Sequence, residues 1–100
     1  MKNNINPRPR SYAVEFWRDG KLISAYLTEP TINSELAVLE QARRQAARHL
    51  ASHMCRDVTS ETYRRLYKRY YSYFEIRVYD PEEVKELKQW MENNFKEGEK

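Results

Sequence analysis

His49, His53 and Cys55 come nearest to a metal-binding set in this chain, because two histidines four residues apart share a helix face and a thiolate is a soft ligand. If the helix continues past His53, Cys55 points to nearly the opposite side, and no third histidine exists to complete the shell. No metal is expected, and Cys55 reads as a small apolar filler. Catalysis lacks its parts as well. The chain holds two glycines, and Gly20 is committed to a tight turn, so no phosphate-cradling loop can form. A tyrosine nucleophile attacking phosphate needs Arg and His support from a larger domain. No nucleophile with a base and an orienting group stands out, and neither an enzyme nor a cofactor is expected.

The dense chemistry lies in residues 62–79, TYRRLYKRYYSYFEIRVY, where six of the eight tyrosines stand among Arg64, Arg65, Lys68, Arg69 and Arg77, opposed only by Glu75. Guanidinium groups and aromatic rings in that proportion suit an anionic or planar partner. A second set, Gln41, Arg44, Gln45 and Arg48, falls on one face of a helical segment; Gln and Arg can read base edges, although no helix-turn-helix spacing accompanies them.

These side chains need elements to position them. Asp19-Gly20 between two alternating runs predicts a type I′ hairpin over 11–28. Pairing Arg18 with Lys21 sets Phe16 against Ile23, Val14 against Ala25 and Tyr12 against Leu27 on the core face. It leaves Trp17, Leu22, Glu15 and Tyr26 on the other face. Asn33 or Ser34 caps a helix to about Cys55, with Leu36, Leu39, Ala42, Ala46, Ala47, Leu50 and Met54 as the apolar stripe and Arg43 as a misfit meeting Glu40 or Glu15.

Thr59 or Ser60 caps a shorter helix over about 60–69, with Tyr63, Leu66, Tyr67 and Tyr70 inward and the cations outward. From Tyr71 the period becomes two, predicting a strand with Phe74, Ile76 and Val78 inward and Tyr73, Glu75, Arg77 and Tyr79 outward. Asp80-Pro81-Glu82-Glu83 starts a last helix, whose stripe of Val84, Leu87, Met91 and Phe95 is expected to be buried.

The expected fold is a small α+β domain of order β-β-α-α-β-α. Its three-stranded antiparallel sheet runs 2-1-3, with the helices on one face and the other face open. Residues 1–10 read as a flexible basic arm, 11–96 as a single domain and 97–100 as a loose tail. Residues 1–79 carry fourteen Lys/Arg against eight Asp/Glu, a charge of +6; residues 80–100 carry four against seven, −3. The body is therefore basic and the last helix acidic. A lone cysteine, no hydrophobic leader and no long apolar run suggest a soluble cytoplasmic protein without a membrane partner.

The expected role is a non-enzymatic accessory protein of nucleic-acid metabolism. It would bind DNA or RNA through Arg64, Arg65, Lys68 and Arg69, joined by Arg44 and Arg48, with aromatic residues of the open sheet face stacking on bases. The alternative is a modulator or inhibitor of a larger protein of DNA or RNA processing, in the manner of small phage-encoded factors. It would dock through Trp17, Leu22, Tyr26, Tyr73, Arg77 and Tyr79, a face that could equally receive a second copy of the chain.

Overall fold

A computed structural model describes residues 8–95, the side chain of Phe95 excepted. The predicted arm falls mostly outside this range, as does the predicted tail. The element order is β1 (Ala13–Arg18), β2 (Lys21–Leu27), α1 (Glu35–Met54), α2 (Glu61–Tyr70), β3 (Glu75–Tyr79) and α3 (Pro81–Phe95). The sheet is antiparallel in the order β2-β1-β3, as the sequence predicts.

The local signals act where they were read. Asp19 and Gly20 both take positive φ, 53° and 78°, which the hairpin turn requires. The Ser34 hydroxyl accepts the Ala37 N–H at 3.1 Å to cap α1, and the Ser60 hydroxyl accepts the Tyr63 N–H at 3.1 Å to cap α2. The buried Asp80 carboxylate accepts the Glu82 N–H at 2.9 Å at the head of α3, and its other oxygen pairs with Arg10 at 3.2 Å. Arg10 thus ties the start of the described chain to the last helix, and its backbone bridges to Thr31. Asp80→Ala removes a cap and the nearer of the two carboxylates that hold Arg10, leaving it Glu83 at 3.5 Å, and should destabilise the fold by about 1–2 kcal/mol in denaturant titration, while Asp80→Asn should retain part of the cap.

Four expectations need correction. The hairpin register slips at Phe16/Trp17. Trp17 faces Leu22 as expected, but Phe16 faces Ser24, Val14 faces Tyr26 and Ala13 faces Leu27, with Ile23 as the extra residue of a β-bulge. Tyr26 therefore leaves the open face for the helix side, where its ring stacks on Phe16 at 6.1 Å and partial burial raises its hydroxyl pKa. The slip exchanges the Phe16/Ile23 and Val14/Ala25 pairings for ring contact and twists an exposed edge strand.

The last strand begins at Glu75, not Tyr71. Tyr73 lies in the preceding turn, edge-on to Tyr70 and Phe74 and beneath the Arg18 guanidinium, which also donates to the Tyr73 carbonyl. Each ring thus finds a better contact off the ladder than on it.

Helix α1 buries Val38, Ala42, Ala47 and Ala51, whereas Leu36 and Met54 are exposed. Val38 and Ala42 pack with Tyr12, Val14, Phe16, Ile76 and Val78 under the sheet. Ala47 and Ala51 are buried outside that cluster, on the side where α2 packs. Two partners on different sides of one helix blur a single-stripe pattern.

Finally, Val84, Leu87 and Met91 of α3 are exposed, as is every residue of β2. The largest fully buried side chain is Val14. The radius of gyration is 18.5 Å, against ~13 Å for a compact chain of this length.

Candidate nucleic-acid interface

Helix α2 is fastened to α1 by tyrosines. Tyr63 is buried, and Tyr63, Tyr67 and Tyr71 form a tilted ladder with ring centroids 6.4 and 6.0 Å apart. At its end the Tyr71 hydroxyl donates to Glu40 at 2.8 Å, which pushes the Tyr71 pKa up, and the Arg43 guanidinium sits 5.7 Å from the same ring. The misfit Arg43 thus meets a tyrosine that is itself bound to the expected Glu40. Between the helices, Asp57 accepts from the Thr59 hydroxyl and N–H, which lowers its pKa, and Cys55 lies 3.4 Å from the Ser60 hydroxyl.

With the ladder turned inward, Arg64, Arg65, Lys68 and Arg69 project outward, all exposed, and among the described residues none makes an ion pair. Arg64 with Lys68 and Arg65 with Arg69 are like-charge pairs at i,i+4, each costing roughly 0.2–0.5 kcal/mol in an isolated helix. On α1, Glu40 and Arg43 mark the side that meets α2. At ~100° per residue, Arg44 and Arg48 lie within ~80° of Glu40, on the flank beside that contact. Both line an open hollow of about 660 Å³ with Gln41, Gln45 and the start of α1. That hollow is lined by α1 and the two residues before it, so Arg44 and Arg48 stand on the flank of α1 while the α2 quartet points away from the contact between the helices.

The open sheet face is arranged differently from expectation. Among the predicted residues it keeps Trp17, Leu22, Arg77 and Tyr79 and loses Tyr26 and Tyr73. The Glu15 carboxylate accepts from Trp17 Nε1 and from the Tyr79 hydroxyl, both at 2.8 Å. The Arg77 guanidinium lies 4.2 Å from the Trp17 ring centre and donates to Glu75 at 2.9 Å. One face of Trp17 is thereby covered, so part of the platform that base stacking needs is already occupied. Glu15 is the organising residue that sequence reasoning missed. Its signal was the shared parity of Glu15 and Trp17, which sets both on one face of the sheet.

The two hydrogen bonds, Trp17 first, hold the Glu15 carboxyl below its usual range; the bond to Glu15 holds the Tyr79 hydroxyl above its own. A depressed carboxylate stabilises the fold above its ordinary pKa and loses that contribution as pH falls through the depressed value. A raised tyrosine stabilises below its ordinary pKa and loses that contribution as pH climbs through the raised one. Glu15→Gln should therefore lower the melting temperature most near neutral pH. The gap to wild type should close under acidic and strongly alkaline conditions, as thermal melts across pH would show.

His49 and His53 do not converge with Cys55, and among the described residues no group of three His, Cys, Asp or Glu side chains could hold a metal ion. No described helix is long and apolar enough to cross a membrane. Compared with known proteins, the chain matches no family model, no curated protein and no solved structure, so its own geometry is the ground for a function.

Proposed function

We infer that this chain is a non-enzymatic accessory protein of nucleic-acid metabolism, acting in the cytoplasm, that binds the phosphate backbone of DNA or RNA through α2 and the adjoining flank of α1. The observation that carries this is the quartet Arg64, Arg65, Lys68 and Arg69, exposed and unpaired on a helix whose opposite face is locked by a tyrosine ladder. Four cations presented on one helix at mutual cost are what counterion release rewards, and Arg44 and Arg48 widen the footprint. Base stacking has less support, because Arg77 covers Trp17 and Glu15 engages Tyr79. Anisotropy titrations with labelled single- and double-stranded DNA and RNA at low salt test the assignment; an absence of binding to all of them overturns it.

A second reading, a modulator of a larger protein of DNA or RNA processing, is favoured by the half-exposed Leu22 beside Trp17 on the open sheet face. There, Trp17→Ala should abolish binding to such a partner and leave oligonucleotide affinity unchanged.

A further inference from the structure

The longest strand of the sheet has one side without a partner. β2 is an edge strand, and among the described residues no strand pairs with its outer side, toward which alternate residues turn their N–H and C=O groups. All seven of its residues are exposed, Ile23 at 55% and Leu27 at 64%. Edge strands are ordinarily blunted by brevity, charge or proline. At the opposite edge, β3 has five residues and carries Glu75 and Arg77. Residues 22–27 of β2 hold no charge and no proline, and the bulge at Ile23 leaves 24–27 in regular register.

A second observation lies beside the first. On the helix side of β2 a groove of about 270 Å³ opens between Phe16, Ser24, Tyr26, Ala46, Leu50 and Phe74, with the exposed Gln45 and His49 as its polar part. Ser24 pairs with Phe16 and is the smallest side chain that β2 turns to this side, so the groove reaches the sheet edge there. Its volume lies below the ~300–1,000 Å³ of drug-sized ligand sites and suits one large apolar side chain. No Lys or Arg lines it, so a phosphate backbone is not its occupant. Charge marks the two ends of the edge. Lys21 at one end and Glu29 just past the other are exposed and make no ion pair among the described residues, while 22–28 carry no charge.

We propose that β2 receives an extended segment of a partner protein, added antiparallel as a fourth strand. The segment carries a basic residue beside Glu29, an acidic residue beside Lys21 and, opposite Ser24, a large apolar side chain that fills the groove. Main-chain hydrogen bonds give such a contact its affinity, and the groove gives it selectivity. Size excludes a second copy as a stable occupant. Two β2 edges of ~23 by ~10 Å cover roughly 460 Å² together, well under the ~1,000 Å² of a lasting dimer. A peptide contact of that size with one buried side chain is weak and reversible, as transient partners require. The site uses neither the α2 cations nor the open sheet face, so it stands independently of the phosphate-binding assignment.

The probe is the synthetic peptide Lys-Thr-Val-Thr-Val-Phe-Val-Thr-Glu, which sets Phe opposite Ser24 when Lys lies beside Glu29, titrated into the full chain and followed by amide NMR. Saturable shifts should centre on residues 21–29 and on Phe16, Ala46, Leu50 and Phe74, with half-saturation below 1 mM. Replacing the peptide's Phe by Asp, or methylating its amides that face β2, should weaken binding at least tenfold, and exchanging its terminal Lys and Glu should weaken it about threefold. Ser24→Arg alters an exposed position, so it should keep the wild-type circular dichroism spectrum and lose the peptide. No shift at 1 mM peptide, shifts confined to α2 or the open sheet face, or undiminished binding of the methylated peptide would each overturn the proposal. So would concentration-dependent shifts of 21–29 without peptide, which would make a second copy the occupant.

Discussion

Replacing Arg64, Arg65, Lys68 and Arg69 together by alanine is expected to weaken oligonucleotide binding about a thousand-fold at 0.1 M salt. The size follows from counterion release, in which each neutralised phosphate contributes ~0.9 to the slope of log affinity against log salt, so four contacts give a slope near 3.6. The loss should be nearly the same for different sequences, since phosphate contacts carry no base information. All four positions are exposed and, among the described residues, make no ion pair, and alanine is the strongest helix former, so the variant should melt no lower than wild type. Removing two like-charge i,i+4 pairs offsets the loss of attraction to Glu61. An intact fold with lost affinity would separate function from stability. Arg44→Ala with Arg48→Ala should produce a smaller, additive loss from the α1 flank, measurable in the same titration.

The second large effect is on the fold. Tyr63→Ala is expected to cost about 3–5 kcal/mol, because it empties a buried aromatic site between α1 and α2. Of a total stability of ~5–15 kcal/mol, that is enough to leave the chain marginal. Tyr63 is the only buried side chain of α2, so its loss should detach that helix first and strip protection from its amides in hydrogen exchange. Tyr63→Phe keeps the ring and its tilted contact with Tyr67, and should cost under ~1.5 kcal/mol.

What could be read from the residues alone was whatever short-range physics decides. Asp19-Gly20 dictates its turn by φ, and Ser34 and Ser60 cap their helices through their own hydroxyls. The cation face of α2 followed from the same period, and its exposure agrees. Alternation could not reveal the bulge at Ile23, because an inserted residue is favoured only once Tyr26 can stack on Phe16. Nor could it show Tyr73 drawn under Arg18 before β3 begins, a contact across 55 residues. The stripe of α3 was visible as a pattern. A pattern states that a face seeks cover, not what provides it, and among the described residues Val84, Leu87 and Met91 are exposed.

The clearest division between a phosphate-binding surface and an idle basic face is the salt dependence of affinity in wild type and in the four-alanine variant. Titrations of a labelled duplex between 0.05 and 0.2 M salt should give a wild-type slope of about −3.6 or steeper, and a variant slope flatter by about that amount. Equal slopes in the two proteins, or no wild-type binding at the lowest salt, would contradict the assignment of α2 as the nucleic-acid interface.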